Sequence, residues 1–300
     1  MVHKESGPWS DGSTMISQCP IPPMSSWTYQ FKANGQPGTY QYHGHVGGMR
    51  VAGLGGAFVI KGDVSNFAAE ANGGETLFHL TDWYHADETQ LVQGLLETRF
   101  RWAGDPQSIL VNGRGRFNCT SNALYGCTNS ACVEGQTSAS LHAGIAGTAL
   151  IEQGAICGAA QRPWYRPSYH PPTCDHSQCP RIETMRVTSG KTYLLRFING
   201  GSLSLFNVAV QNHSMTVIEV DGMPTQKYKT DSVDLNSGQR VSVLVTMNQP
   251  PSVYVIKVNI RARPAQRAGF VLLTYDGSDI STDSVDPEAV SILQPSWNDN

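Results

Sequence analysis

Short apolar runs broken by turn residues dominate the chain. The pattern is cleanest after residue 181, where 192–198 (TYLLRFI), 205–211 (LFNVAVQ), 215–220 (MTVIEV), 240–246 (RVSVLVT), 253–260 (VYVIKVNI) and 270–275 (FVLLTY) are rich in β-branched and aromatic residues. Asn212-His213, Asp221-Gly222, residues 236–238 and Pro250-Pro251 punctuate them. Short strands with turn signals between them predict an antiparallel β-sandwich. Earlier in the chain, 27–31 (WTYQF), 39–46 (TYQYHGHV), 57–60 (AFVI), 76–81 (TLFHLT) and 108–112 (SILVN) read as strands. One short helix is predicted within 86–98, where apolar residues fall at 91, 92, 95 and 96. No GxGxxG run leads from a strand into a helix, and no G-x-S-x-G is present, so nucleotide-binding and α/β-hydrolase readings lose their main support.

Composition narrows this picture. The chain has 300 residues, enough for about two domains at roughly 150 residues each. Apolar residues are 40% and charged residues 15%, while 30 Gly and 17 Pro supply many turns. A net charge of −3 gives no electrostatic footprint for nucleic acid or an anionic membrane surface. No apolar run is long enough to span a bilayer as a helix. The opening MVHKESGPWSDG has neither the charged nor the apolar region of a signal peptide, and the closing DPEAVSILQPSWNDN reads as a linker. The chain is therefore expected to be an internal piece of a longer protein.

Six of the seven cysteines lie between residues 119 and 179. Their spacing offers no C-x₂-C pair for zinc, so disulfides in a loop-rich excursion fit better. The sequons Asn118-Cys119-Thr120 and Asn212-His213-Ser214 make Asn118 and Asn212 glycosylation candidates, in keeping with an oxidising, extracellular setting.

The sharpest chemical feature is Tyr40-Gln41-Tyr42-His43-Gly44-His45. On a strand, residues i and i+2 share a face, which sets the two imidazoles side by side with Cβ atoms roughly 7 Å apart. Gly44 faces the other way and leaves room for close backbone approach. Paired imidazoles suit copper, zinc, iron or nickel; the plainer reading is two polar residues on a solvated face.

The segment GTYQYHGHVGGMRVAGLGGAFVI, with PWSDG and ISQCPIPP before it, resembles the first cupredoxin domain of multicopper oxidases, most of all the ascorbate-oxidase branch. The resemblance continues through LTDWYH, FRWAGDPQSILVNGRGRFNC, KTYLLRFINGG, NHSMTVIEVDGMPTQ and SGQRVSVLVT to PSWND, in family order. It implies an all-β fold of tandem cupredoxin-like Greek-key β-sandwiches, the first truncated at its N-terminus. Residues 1–105 would be a partial first domain, 106–280 a second, and 281–300 a linker toward a missing third domain in cis.

The resemblance further implies an oxidase, secreted by family, that oxidises a small-molecule reductant and reduces dioxygen to water through copper. His43 and His45 match the first-domain H-x-H and would ligate the two type 3 coppers. Trp102 matches a tryptophan lining the reductant pocket. Cys119 resembles a cysteine that closes a local loop, here with Cys127 or Cys132, whereas the partners of Cys19 and Cys179 would lie in missing segments. The motif HWHG and the third-domain motifs HxxHxH and HCHxxxH are absent, and no cysteine has a histidine neighbour. The chain alone is therefore expected to be inactive toward dioxygen. His85 is read as structural and His213 as a solvent-facing turn residue. The alternative function is a non-enzymatic cupredoxin-fold binding protein; a two-domain oxidase completing its cluster between subunits would need an HCH motif that this sequence lacks.

Overall fold

The computed structural model describes residues 8–33, 37–62, 70–84, 86–98, 100, 102–115, 182–263, 267–292 and 294. Asn118, Cys119, Cys127, Cys132, Cys179 and His85 lie outside these residues. In chain order the strands are β1 Gly38–His43, β2 Gly55–Ile60, β3 Gly74–Trp83, β4 Ser108–Val111, β5 Glu183–Val187, β6 Thr192–Asn199 and β7 Leu205–Val210. They continue with β8 Met215–Val220, β9 Met223–Thr230, β10 Ser232–Leu235, β11 Arg240–Thr246, β12 Val253–Arg261 and β13 Ala268–Tyr275. The single α-helix of the described residues, α1 (Glu88–Leu96), lies within the predicted window and starts where the Asp87 carboxylate accepts the Thr89 amide proton.

Two sheets form the larger body. One has the order β10-β7-β12-β13-β5, the other β4-β3-β6-β11-β8-β9. Alternation dictates how they meet. Phe78 and Leu80 of β3, Leu195 and Phe197 of β6, and Val243 and Val245 of β11 pack with Phe206 and Val208 of β7, Ile256 and Val258 of β12, and Val271 and Leu273 of β13 in one core cluster. Every second residue of these strands thus enters the interlayer, as a sandwich requires.

The pairings depart from the expected all-antiparallel scheme in two places. β3 pairs parallel with β6, and β5 pairs parallel with β13. Parallel neighbours need long crossovers, and both pairs join strands far apart in sequence. β3 is also the strand that the expected boundary after residue 105 leaves in the first unit; its hydrogen bonds run to β4 and β6, inside the six-stranded sheet. Residues of the expected linker are packed: Val285, Val290 and Ile292 cover Val253, Val255, Phe270 and Leu272 on the outer face of the five-stranded sheet. Residues 27–31, expected as a strand, are not one; among the described residues no strand pairs with them, and Trp27 is 60% exposed.

β1 and β2 form a separate two-stranded ribbon. It lies on the outer face of the six-stranded sheet, where alternation brings polar residues. Arg196 of β6 and Glu219 of β8 both stand beside Ser242 of β11 in the strand register. Arg196 donates from Nη1 to Glu219 Oε2 at 3.0 Å, and from Nε and Nη2 to Glu75 Oε2 of β3 at 3.2 and 3.1 Å. Thr39 of β1 closes the group: its amide donates to Glu219 Oε1 at 2.6 Å, and its hydroxyl accepts from Arg196 Nη1 at 2.7 Å. Arg240 adds a bond from Nε to the Thr39 carbonyl at 3.0 Å, with its guanidinium 5.5 Å from the Tyr40 ring centroid. Backbone contact is close as well. A Cβ on Gly38 would stand 2.9 Å from Gly222, so neither position accepts a larger residue without a shift.

His213 corrects an expectation. It follows Asn212, which takes a positive φ of 58° in the β7–β8 turn, yet its side chain is buried. Its Nδ1 lies 2.6 Å from the Gln211 carbonyl and its Nε2 lies 2.6 Å from the Tyr275 hydroxyl. A carbonyl only accepts, so Nδ1 carries the proton and Nε2 accepts from Tyr275. The turn composition signalled exposure, but partners on β13 draw the ring inward.

Two predictions follow from this packing. Arg196→Met leaves the buried Glu219 carboxylate without its charge partner and is expected to cost about 3–5 kcal/mol in urea unfolding; a loss under about 1 kcal/mol would contradict the stated role. Burial holds the His213 pKa below its ordinary value, against the opposing pull of its bond to Gln211. The unfolded chain therefore takes up this proton at higher pH than the native state does. The contribution of His213 is complete above about pH 6.5 and is lost as pH falls toward the folded-state pKa. His213→Gln should flatten unfolding stability across that acidic window; an unchanged slope would count against it.

Candidate metal-ligand pair

β1 ends at His43, where the ribbon register places Gly55 of β2 opposite. The chain then leaves the sheet and turns over residues 46–53 before returning. The turn closes on itself through backbone bonds: Gly44 N to Leu54 O at 2.9 Å, Leu54 N to Met49 O at 2.9 Å and Ala52 N to Gly48 O at 2.9 Å. Gly44 is needed there, since a Cβ on it would lie 2.5 Å from Met49 Cβ. Where room for a close backbone approach was expected, side chains of the returning loop, Met49 and Leu54, stand against this glycine.

His43 and His45 come together. Their ring centroids are 4.3 Å apart with an interplanar angle of 26°, a stacked pair. His43 is half-buried and His45 exposed. His43 Nδ1 lies 3.1 Å from the Gly44 carbonyl. That oxygen can only accept, which fixes the proton on Nδ1 and leaves the Nε2 lone pair for a metal. Desolvation is the main cause that lowers the pKa of each ring; the Arg50 charge adds to it in both, and the Gly44 bond opposes it in His43. Both imidazoles are thus biased to the neutral, ligating form. Among the described residues no group of three or more His, Cys, Asp or Glu side chains stands together as a metal site. The pair offers two adjacent nitrogen donors of a type that suits copper, fewer than a complete metal site needs.

The surroundings contain residues that the sequence did not single out. Arg50 donates from Nη2 to the Gly201 carbonyl at 2.8 Å and to Ser237 Oγ at 2.7 Å. Asp82 of β3, only 3% exposed, accepts three backbone amides, from Ser202 at 2.7 Å, Leu203 at 2.9 Å and Ser204 at 3.0 Å. Asn199 holds the same loop, accepting from the Gly201 amide and donating to the carbonyls of Ser204 and Leu235. His79 of β3 packs against Gly200, where a Cβ would meet its Nε2 at 2.3 Å. The only sequence signals for these roles were the polar Asp82 at the end of an apolar strand and the glycine pair at 200–201.

The other predicted site residues lie elsewhere. Trp102 sits beneath Arg263, whose guanidinium carbon is 4.9 Å from the ring centroid, and Arg263 Nε is 3.7 Å from Asp105 Oδ1. Asn212 is exposed at its turn. Cys19 is exposed and, among the described residues, in no disulfide. No helix of the described residues is long and apolar enough to cross a membrane.

Comparison with known proteins gives the family. Residues 74–278 match a family model described as multicopper oxidase, and residues 2–65 match a second model of the same description. L-ascorbate oxidase of Brassica rapa subsp. pekinensis is 33% identical over 302 aligned positions, covering 99% of this chain and 45% of that protein. Laccase-3 of Thanatephorus cucumeris is 29% identical, covering 89% and 37%. The laccase of Botrytis aclada superposes with a TM-score of 0.61 at 25% identity, covering 93% of this chain and 41% of that one. The chain spans less than half the length of these relatives. With the match beginning at β3 and running through β13, the chain belongs to the multicopper oxidase family and carries its cupredoxin fold.

Proposed function

We propose that the chain is part of a copper-dependent oxidase that removes single electrons from a small reductant and delivers four electrons and four protons to dioxygen, forming two waters. The observation that carries this reading is the His43–His45 ring pair, 4.3 Å apart at the end of a docked ribbon, in a chain of this family. Copper, when bound, supplies reversible one-electron redox chemistry. The chain's own residues present two nitrogen donors: His43 through Nε2, with Nδ1 tied to Gly44, and His45 beside it. These two would serve as ligands of the type 3 pair.

Two imidazoles do not complete a copper cluster. The remaining ligands are assigned in this reading to a further cupredoxin domain in cis, in keeping with relatives more than twice as long. Trp102 is proposed as one wall of the reductant site. Its ring stacks with the Arg263 guanidinium, and the name of one relative, L-ascorbate oxidase, agrees with a small organic reductant. Secretion fits an exposed sequon at Asn212, and local disulfides of Cys119 with Cys127 or Cys132 belong to the same reading. No observation favours the non-enzymatic binding protein.

The test is Cu(II) titration of the full chain by calorimetry, in a His3→Ala background so that the histidine beside the amino terminus does not contribute. The His43→Ala/His45→Ala variant is expected to lose about one equivalent of bound copper relative to its parent. Both ring pKa values lie below their ordinary value, so parent affinity should hold as pH falls to about 6.5 and decline only further below. Equal copper uptake by parent and variant would refute the assignment.

A further inference from the structure

The His-bearing end of the ribbon lies far from the anchor that docks it. Thr39 is four residues before His43, which puts the buried anchor roughly 13 Å away along the strand. A two-stranded ribbon is marginal by itself, and Gln41, the last buried residue of β1, lies two residues before His43, so the end beyond it depends on other contacts. The end is nevertheless tethered, and the tether is Arg50. It sits in the loop that leaves His45, and its guanidinium crosses to the larger body, where Gly201 and Ser237 accept from the same Nη2. Those acceptors are themselves fixed. Asn199 accepts the Gly201 amide and Asp82 accepts the next three amides, so the loop receiving Arg50 is bound to β3 and β6. Elsewhere in the turn, among the described residues, Val51 packs with Tyr84, Leu91 and Ala103, and Gly48 lies against the side chains of Glu88 and Val92 of α1. Apolar contacts are non-directional, whereas two hydrogen bonds from one guanidinium nitrogen fix an orientation.

We infer that Arg50 is a positioning residue for the metal-ligand pair, holding the 44–54 turn against the 200–204 and 236–238 loops so that His43 and His45 keep one mutual geometry. The inference rests on the reading of that pair as copper ligands. Groups that orient metal ligands change affinity by about 10–100-fold when removed, and lysine cannot reproduce the planar fork of arginine.

The test uses the full chain with three substitutions: Arg50→Met, Arg50→Lys and Ser237→Ala. Cu(II) affinity is measured by calorimetry in the His3→Ala background, and amide exchange by mass spectrometry on peptides covering residues 44–54. Arg50→Met should weaken copper binding about tenfold or more and accelerate exchange in that segment. Exchange in the β6 and β11 peptides should stay as in the parent. Arg50→Lys should fall between Arg50→Met and the parent. Ser237→Ala leaves residues 44–54 untouched and removes one acceptor of Arg50, so a smaller shift in the same direction separates positioning from a folding defect. Parent-like affinity and parent-like exchange in both Arg50→Met and Ser237→Ala would overturn the inference. If instead the His43→Ala/His45→Ala chain binds copper like its parent, the ligand reading fails on its own, and exchange in 44–54 alone decides the tether: acceleration in Arg50→Met supports it, and unchanged exchange refutes it.

Discussion

A buried charge group on the outer face of the six-stranded sheet organises the molecule. Arg196, Ser242 and Glu219 lie side by side on β6, β11 and β8, with Glu75 of β3 beyond Arg196. Burying a guanidinium and a carboxylate is costly unless hydrogen bonds satisfy their remaining donors and acceptors. Part of that satisfaction comes from outside the sheet. The Thr39 amide and hydroxyl complete the coordination of Glu219 and Arg196, and the Thr39 carbonyl receives Arg240. The ribbon is therefore required by the sheet as much as the sheet is required by the ribbon. This explains how a two-stranded element, which is marginal by itself, keeps a fixed place and register.

That fixed place has a chemical consequence. The strand that begins at the buried group ends at His43, and the loop that follows returns through Arg50 to the same body. The imidazole pair is thus held from both sides: by an ion pair and hydrogen bonds behind it, and by a guanidinium ahead of it. Between these points the close turn at Gly44 decides the ring geometry. The strand ends at His43, so the 4.3 Å stacking of the two rings is set by the chain beyond it rather than by strand alternation.

Much of this was legible in the sequence, for physical reasons that differ by region. Interior strands such as β6, β11 and β12 are buried and read directly as β-branched runs. β9 was missed: its residues are nearly all exposed, Pro224, Lys227 and Lys229 interrupt any apolar alternation, and it forms one edge of its sheet. The parallel pairings of β3 and β5 were unreadable because local sequence carries no record of a partner more than eighty residues away. The H-x-H spacing drew attention to the histidine pair, but the strand expected over 39–46 ends at His43, so strand alternation is not what brings the two rings together. Arg50 could not be read from spacing, since Gly201 lies 151 positions later. His213 was misread for the same reason: its neighbours spell a turn, while Tyr275, which sets its burial, is 62 positions away.

The most direct test of the account is a crystal structure of the copper-loaded full chain, with anomalous scattering recorded across the copper absorption edge. The account predicts anomalous density about 2 Å from His43 Nε2 and from a His45 ring nitrogen, with the ribbon still docked through Thr39. Copper located only elsewhere in the chain, or rings turned apart with the loop detached from Gly201, would contradict it.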